Sequence, residues 1–322
     1  MREATTGPAP LGRWPASKRQ MGIGIMMPTS EGSAFGPTPR YRDIVEVAQK
    51  AESLGLDGLW FPDHFIMQTP PIEGDVRGVW EVFPLMAGVA AMTSRITLGS
   101  LVTCLGWRNP GITAKMSEMI DEISGGRFVL GAGAGWHEPE YEMFGFPWDH
   151  RVSRFEDAIR IINPLLREGA VDFEGEFWQA RQAVNAPRGP RAEEGGPPIL
   201  FGSNGPRMLR LMAGFGDAWN TNWHSDASET LPNIQALEAA CNEMGRDPAT
   251  IVKTVGSSVA VEGSFGRRPD PISGEPAAIA EKIQAFRDLG FRHLVAGLDP
   301  ATPAGVEHLA KVVALLDEHN GE

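Results

Sequence analysis

The sequence predicts an α/β fold of the (β/α)8 barrel type, and three observations carry that expectation. From Met21 onward, short apolar runs rich in β-formers alternate with longer stretches of helical periodicity, the order that parallel strands joined by crossover helices require. Eight such runs can be marked, at 22–27, 57–61, 96–103, 127–130, 198–201, 217–221, 251–261 and 293–298. No hydrophilic linker divides the chain, which favours one closed barrel over two Rossmann-type halves. A doubly wound parallel sheet is the competing arrangement.

The elements follow in order. Residues 1–20 read as a disordered tail: Arg2, Arg13, Lys18 and Arg19 are present without the apolar core of a secretory signal, and Gly7, Pro8, Pro10 and Pro15 break any element. Residues 21–322 then form one domain. The first helix is expected from Thr38 as N-cap and Pro39 at the first helical position, with Ile44, Val47, Ala48, Ala51 and Leu54 on one face and Gly55 as its stop. Ile234, Leu237, Cys241 and Met244 before Gly245, and Ile279, Ile283, Phe286 and Leu289 before Gly290, repeat this outer-helix design. A helix over 153–168 contains Pro164, which predicts a kink or a shifted start. The Gly- and Pro-rich stretches 65–78, 136–150, 173–196 and 263–274 exceed minimal turns and read as active-site loops or insertions.

Composition narrows the function. With 42% hydrophobic residues the chain can bury a full core, and 41 acidic against 29 basic side chains give a formal net charge of -12. That field repels phosphate backbones and anionic lipid, so neither nucleic acid nor a membrane surface is an expected partner. Cys104 and Cys241 have no metal or redox-pair spacing, which fits the reducing cytoplasm. The longest apolar stretches, such as 96–105, fall well short of the roughly 20 residues of a membrane helix.

Candidate chemistry gathers at predicted strand ends. Asp63 and His64 follow the second strand; they read either as a cofactor contact beside a catalytic imidazole or as a cap beside a buried hydrogen-bonding His. Ser100 and Thr103 are polar within an apolar strand, where Ser100 faces a cofactor or both are core hydroxyls bonded to carbonyls. The run Gly131-Ala132-Gly133-Ala134-Gly135-Trp136 fails the dinucleotide fingerprint, because Trp136 stands where the third glycine belongs. Its small residues instead admit a flat ring or tight barrel packing. His137 and Glu140 are three apart without the second His of a zinc helix, so no metal is expected. Gly202, Ser203, Asn204, Gly205, Pro206 and Arg207 open a helix and read as a phosphate cradle or as a plain capped start. Nine tryptophans against two tyrosines, with Trp80, Trp107, Trp136, Trp148 and Trp223 in or beside the loops, suit an apolar pocket for a planar cofactor. No Gly-x-Ser-x-Gly elbow or isolated carboxylate pair supports hydrolysis, and a redox cofactor would explain the scarcity of protein nucleophiles.

Taken in this order and spacing, 54–60 with Asp63-His64-Phe65, 95–100 with Arg108-Asn109-Pro110, 124–128 through 135–141, and 202–206 with 216–220 resemble the bacterial luciferase-like superfamily. Within it, the chain is most similar to oxidoreductases that use the 5-deazaflavin coenzyme F-420. The resemblance implies a barrel, commonly dimeric, with the deazaflavin ring at the carboxyl-terminal strand ends and a small-molecule substrate beside it. It implies a cofactor-contacting Asp63, a catalytic His64, a cis peptide at Leu101-Val102, further ring contacts at Cys104, Ala134 and Gly135, and phosphate contacts at Asn204-Gly205. Trp107, Trp136, His137 and Glu138 then fall at the substrate pocket. Members that oxidise sugar phosphates carry a catalytic Glu where this chain has Trp136, which argues against that substrate; Glu138 or His137 are the candidate substitutes, though neither occupies the equivalent place. The implied reaction is hydride exchange between F-420 and an alcohol, carbonyl or activated alkene. The rivals are a reduced-FMN monooxygenase, whose members frequently show Glu-His-His in place of Asp63-His64-Phe65, and a flavin-binding barrel without activity.

Overall fold

The computed structural model describes residues 12–67, 76–266 and 268–318. Eight parallel strands close on themselves: β1 (Gly22–Met26), β2 (Gly58–Phe61), β5 (Thr97–Ser100), β7 (Phe128–Gly133), β10 (Ile199–Gly202), β11 (Ala218–Thr221), β12 (Val252–Ala260) and β13 (His293–Asp299). The ring runs β10-β11-β12-β13-β1-β2-β5-β7 and shuts through β7 against β10, where Leu130 pairs with Ile199. Each of the eight sequence-predicted strands is present. A short β6 (Thr103–Cys104) continues from β5 beyond a cis Leu101–Val102 peptide and pairs with β7, in accord with the resemblance. Two antiparallel hairpins lie outside the barrel, β3 (Ile66–Met67) with β4 (Arg77–Gly78), and β8 (Ala170–Glu174) with β9 (Gln179–Val184).

Helices fill the connections: α1 (Tyr41–Ser53), α2 (Val82–Ala91), α3 (Pro110–Ser124), α4 (Glu138–Phe144), α5 (Arg151–Arg167), α6 (Pro206–Phe215), α7 (Leu231–Glu243), α8 (Pro276–Asp288) and α9 (Pro303–Glu318). Their apolar faces, such as Ile44, Val47, Ala48 and Ala51 of α1, pack on the outside of the barrel in one continuous core. Among the described residues no helix is long and apolar enough to cross a membrane.

Four local expectations are corrected. α1 begins at Tyr41 behind Arg40, not at Thr38, because Asp43 turns back to accept the Arg40 N–H at 2.9 Å while the Thr38 hydroxyl serves Glu31. α5 runs through Pro164 to Arg167; the carbonyl left without a donor is that of Arg160, an exposed residue that water can serve. Of the two readings of 173–196, the stretch is an insertion and not an active-site loop: it carries most of the β8–β9 hairpin and connects α5 to β10, at the opposite end of the barrel from the carboxyl-terminal strand ends. Finally, residues 12–20 of the expected tail are packed, while 1–11 lie outside the described residues. Trp14 stacks on Trp60 with ring centroids 6.1 Å apart, and Arg19, 3% exposed, forms ion pairs with Asp57 at 2.7 Å and Asp317 at 2.6 Å.

Inside the barrel, Trp60 Nε1 donates to His293 Nε2 at 2.9 Å, and a Cβ on Gly24 would lie 2.8 Å from both nitrogens. Only glycine leaves room for that pair. Complete burial lowers the His293 pKa to about 4, against the raising charge of Asp57. The unfolded chain would therefore take up a proton near pH 6.5 that the folded protein refuses until about pH 4. Stability from this group is complete above pH 6.5 and falls as pH drops toward 4. His293→Gln, which keeps an acceptor for Trp60, should flatten the stability-versus-pH slope in that window by up to about 1.4 kcal/mol per pH unit. Urea unfolding at several pH values checks this, and identical slopes for the two proteins would refute it.

Candidate active site

The carboxyl-terminal strand ends enclose a cleft with two adjoining lobes of about 310 and 270 Å³, which share His64, Leu101, Trp136 and Asn222 along their boundary. The larger is lined by the ends of β1, β12 and β13, including Met27, Ser258 and Asp299. The smaller is lined by the ends of β2, β6, β7, β10 and β11, through Asp63, Cys104, Gly133, Ala134, Gly135, Gly202, Ser203 and Asn220.

His64 follows β2, largely buried, and lies at the junction of the lobes. Its Nδ1 lies 2.8 Å from Glu140 Oε2, and that carboxylate, fully buried on α4, also accepts the Phe65 N–H at 2.6 Å and the Ile66 N–H at 3.1 Å. The carboxylate so fixes both the loop and the ring, leaving Nε2 as the ring nitrogen available to a substrate. Glu140 was considered from sequence only as half of a metal pair. The substrate-pocket residues expected from sequence beside it do not line the cleft: Glu138 is exposed and His137 is 5% exposed, and neither lines either lobe. For Glu138 the reason is helical phase, since residues two apart on α4 point to nearly opposite faces; His137, at the N-cap of α4, lies behind the lobes against His64, with ring centroids 6.2 Å apart. Burial also holds His137 below the usual imidazole range, against the pull of the Glu140 charge.

Asp63 faces the smaller lobe, yet its carboxylate is committed to protein. It accepts the Cys104 N–H at 2.9 Å and both Arg108 amino groups at 2.7 and 2.8 Å. Burial would lower the Arg108 pKa, but the hydrogen bonds and charge of Asp63, then those of Glu81, hold it well above its ordinary value. Asp63 therefore positions the β6 backbone. Cys104 approaches the Tyr141 hydroxyl at 3.0 Å, and burial pushes its thiol up to about 12, so it is no nucleophile at neutral pH.

Ser100 belongs to the core and does not line the cleft: its hydroxyl accepts from Gly131 N and donates to Gly131 O, both at 3.0 Å, tying β5 to β7. Leu101 lines both lobes; Val102 lines the smaller and fills the space that a Cβ on Gly133 or Gly202 would need, at 2.5 and 2.7 Å. Asn204 and Gly205 are exposed at the start of α6, with Asn204 Nδ2 donating to Thr221 at 3.3 Å. Arg207, expected beside a phosphate, turns onto α5 instead and pairs with Glu156 at 2.7 Å. The reason is proximity of opposite charge, since Glu156 also faces Arg160 and draws both cations.

Aromatic rings close the mouth. Trp136, 60% exposed, meets His64 edge-on at 5.6 Å, and buried Trp107 lies 6.5 Å from it. Two polar atoms of the smaller lobe, Trp107 Nε1 and Asn220 Oδ1, are buried without a hydrogen-bond partner. One is a donor and one an acceptor, which fits the edge of a flat heterocycle carrying both carbonyl and N–H groups. Asn222 and Trp223, joined by a cis peptide that nothing in the sequence signals, line the larger lobe.

A family model described as luciferase-like monooxygenase matches residues 21–264. Over 259 residues the chain is 30% identical to 5,10-methylenetetrahydromethanopterin reductase of Archaeoglobus fulgidus, covering 78% of this chain and 72% of that protein. Among solved structures it superposes on an F-420-dependent secondary alcohol dehydrogenase in complex with an F-420-acetone adduct, with TM-score 0.75, 18% identity, and 92% and 99% of the two chains covered. It also superposes on a riboflavin lyase holding modified FMN and riboflavin, with TM-score 0.76, 16% identity, and 94% and 92% covered.

Proposed function

Since this chain belongs to the luciferase-like monooxygenase family, we propose that it is an oxidoreductase exchanging a hydride between coenzyme F-420 and a small alcohol, carbonyl or activated alkene. The observation that carries this reading is the His64–Glu140 pair at the junction of the two lobes. The smaller lobe, with its unpartnered Trp107 donor and Asn220 acceptor, suits the ring, and the exposed amide end of α6 behind Ser203 and Gly205 suits an acidic tail. The larger lobe is left for substrate.

Bound F-420 supplies the hydride donor or acceptor carbon. Reducing a carbonyl needs, besides hydride at carbon, a proton at oxygen, and His64 Nε2 is the group to deliver it; oxidation of the alcohol runs the same transfer backward. Glu140 holds the Nδ1 proton and steadies the ring as its charge changes. Trp107 and Trp136 restrict water around the reacting atoms. Trp136 cannot exchange protons, which speaks against sugar-phosphate oxidation.

Titration with F-420 and FMN, each in both redox states and followed by fluorescence, tests the cofactor assignment. Sub-micromolar F-420 binding at least about tenfold tighter than FMN is expected. The reverse order would replace this reading by a reduced-FMN monooxygenase, and binding without turnover across alcohols, carbonyls and enones would leave a non-catalytic barrel.

A further inference from the structure

The larger lobe holds polar groups that the proposed proton transfer does not use. The guanidinium of Arg268, in the loop after β12, lies over the Trp223 ring at 4.2 Å from its centroid. Among the described residues Arg268 forms no ion pair, although it stands on the wall of the cleft. Nearby Asp299 is already engaged, accepting from the Ser264 hydroxyl at 2.7 Å and the Phe265 N–H at 3.1 Å. Thr29 and Ser33 line the same lobe, and the hydroxyls of both are buried without a hydrogen-bond partner. Apolar side chains such as Met26, Met27, Leu101 and Leu298 line the rest together with Ser30, Ser258 and Asn222.

We propose that the larger lobe selects substrates carrying an anionic oxygen group, a carboxylate or phosphate, which Arg268 receives while the apolar walls hold the carbon skeleton toward His64. This deepens the function proposed above and rests on it for the role of the lobe. The Trp223 ring beneath it restrains the guanidinium, whose parallel N–H groups can meet two oxygens at once. The hydroxyls of Thr29 and Ser33 offer neutral donors to further oxygens on the same ligand. The Asp299 charge also acts on Arg268, so an anion must compete with it for the guanidinium.

Matched probes test the proposal without turnover: phenylacetate, phenylacetamide and benzylphosphonate, titrated by calorimetry into the full-length protein with and without F-420 or FMN. Wild type should bind one or both anions about five- to tenfold more tightly than the amide, the range expected for a charged hydrogen bond at a partly exposed site. Arg268→Gln should erase that preference and Arg268→Lys should keep part of it, with cofactor affinity unchanged in both. Equal binding of amide and anions by wild type, or a preference that survives in Arg268→Gln, overturns the proposal. Failure of both cofactors to bind while the preference persists removes the function proposed above and leaves the anion subsite standing.

Discussion

Replacing His64 by Ala should lower turnover at least about 100-fold, the low end of the contribution made by a positioned acid-base group, while F-420 affinity changes little. The imidazole touches both lobes but makes its hydrogen bond to Glu140, not to the Trp107 and Asn220 groups of the ring lobe. Its loss therefore falls on the proton transfer. Glu140→Gln separates holding from catalysis. It keeps an oxygen for Phe65 N and Ile66 N but removes the charge that stabilises the protonated ring, so turnover should fall by a smaller factor, about 10-fold, with the same pattern of binding. Single-turnover reduction with F-420 bound, alongside the binding titration, measures both. Unchanged turnover in His64→Ala would remove it from the mechanism, and parallel loss of cofactor binding would make it a structural residue.

The second large effect is on stability. Asp63→Ala should cost about 3 kcal/mol, the low end for breaking one side of a buried ion pair, because Arg108 retains Glu81 at 2.5 Å. The change also takes from the Cys104 N–H the carboxylate oxygen it donates to. Asp63→Asn, which preserves an acceptor for that N–H, should lose less. Urea unfolding midpoints decide it: a loss under about 1 kcal/mol would mean that Arg108 relaxes fully onto Glu81. The same substitution should weaken cofactor binding, since Cys104 and Val102 share the short wall that Asp63 anchors.

Much of the architecture was legible because its signals are local. The eight strands were marked by short β-branched and apolar runs, and α1, α7 and α8 by one-sided periodicity ended at glycine. His64 was legible because an acid and an imidazole directly after a strand stand out at a barrel mouth. Glu140 was not, since a helix as short as α4 has too few residues for periodicity to reveal which of Glu138 and Glu140 turns inward. Arg207 looked like an anion ligand because sequence shows a charge beside a helix start but not the Glu156 that neutralises it across space. The packed segment at Trp14 and Arg19 was hidden for the same reason: its partners are Trp60, Asp57 and Asp317, far along the chain.

By itself, then, the order of residues determined the alternation of strands and helices, the barrel they close, and the strand ends that bear polar side chains. Those features depend on periodicity and on capping, which act within a few residues. Which carboxylate faces His64, which cation lies over Trp223 at the cleft and which strand interior accepts the Trp60–His293 pair were decided only in the folded protein. Charge pairing and close packing select among partners by distance in space, and that distance exists only once the barrel has shut.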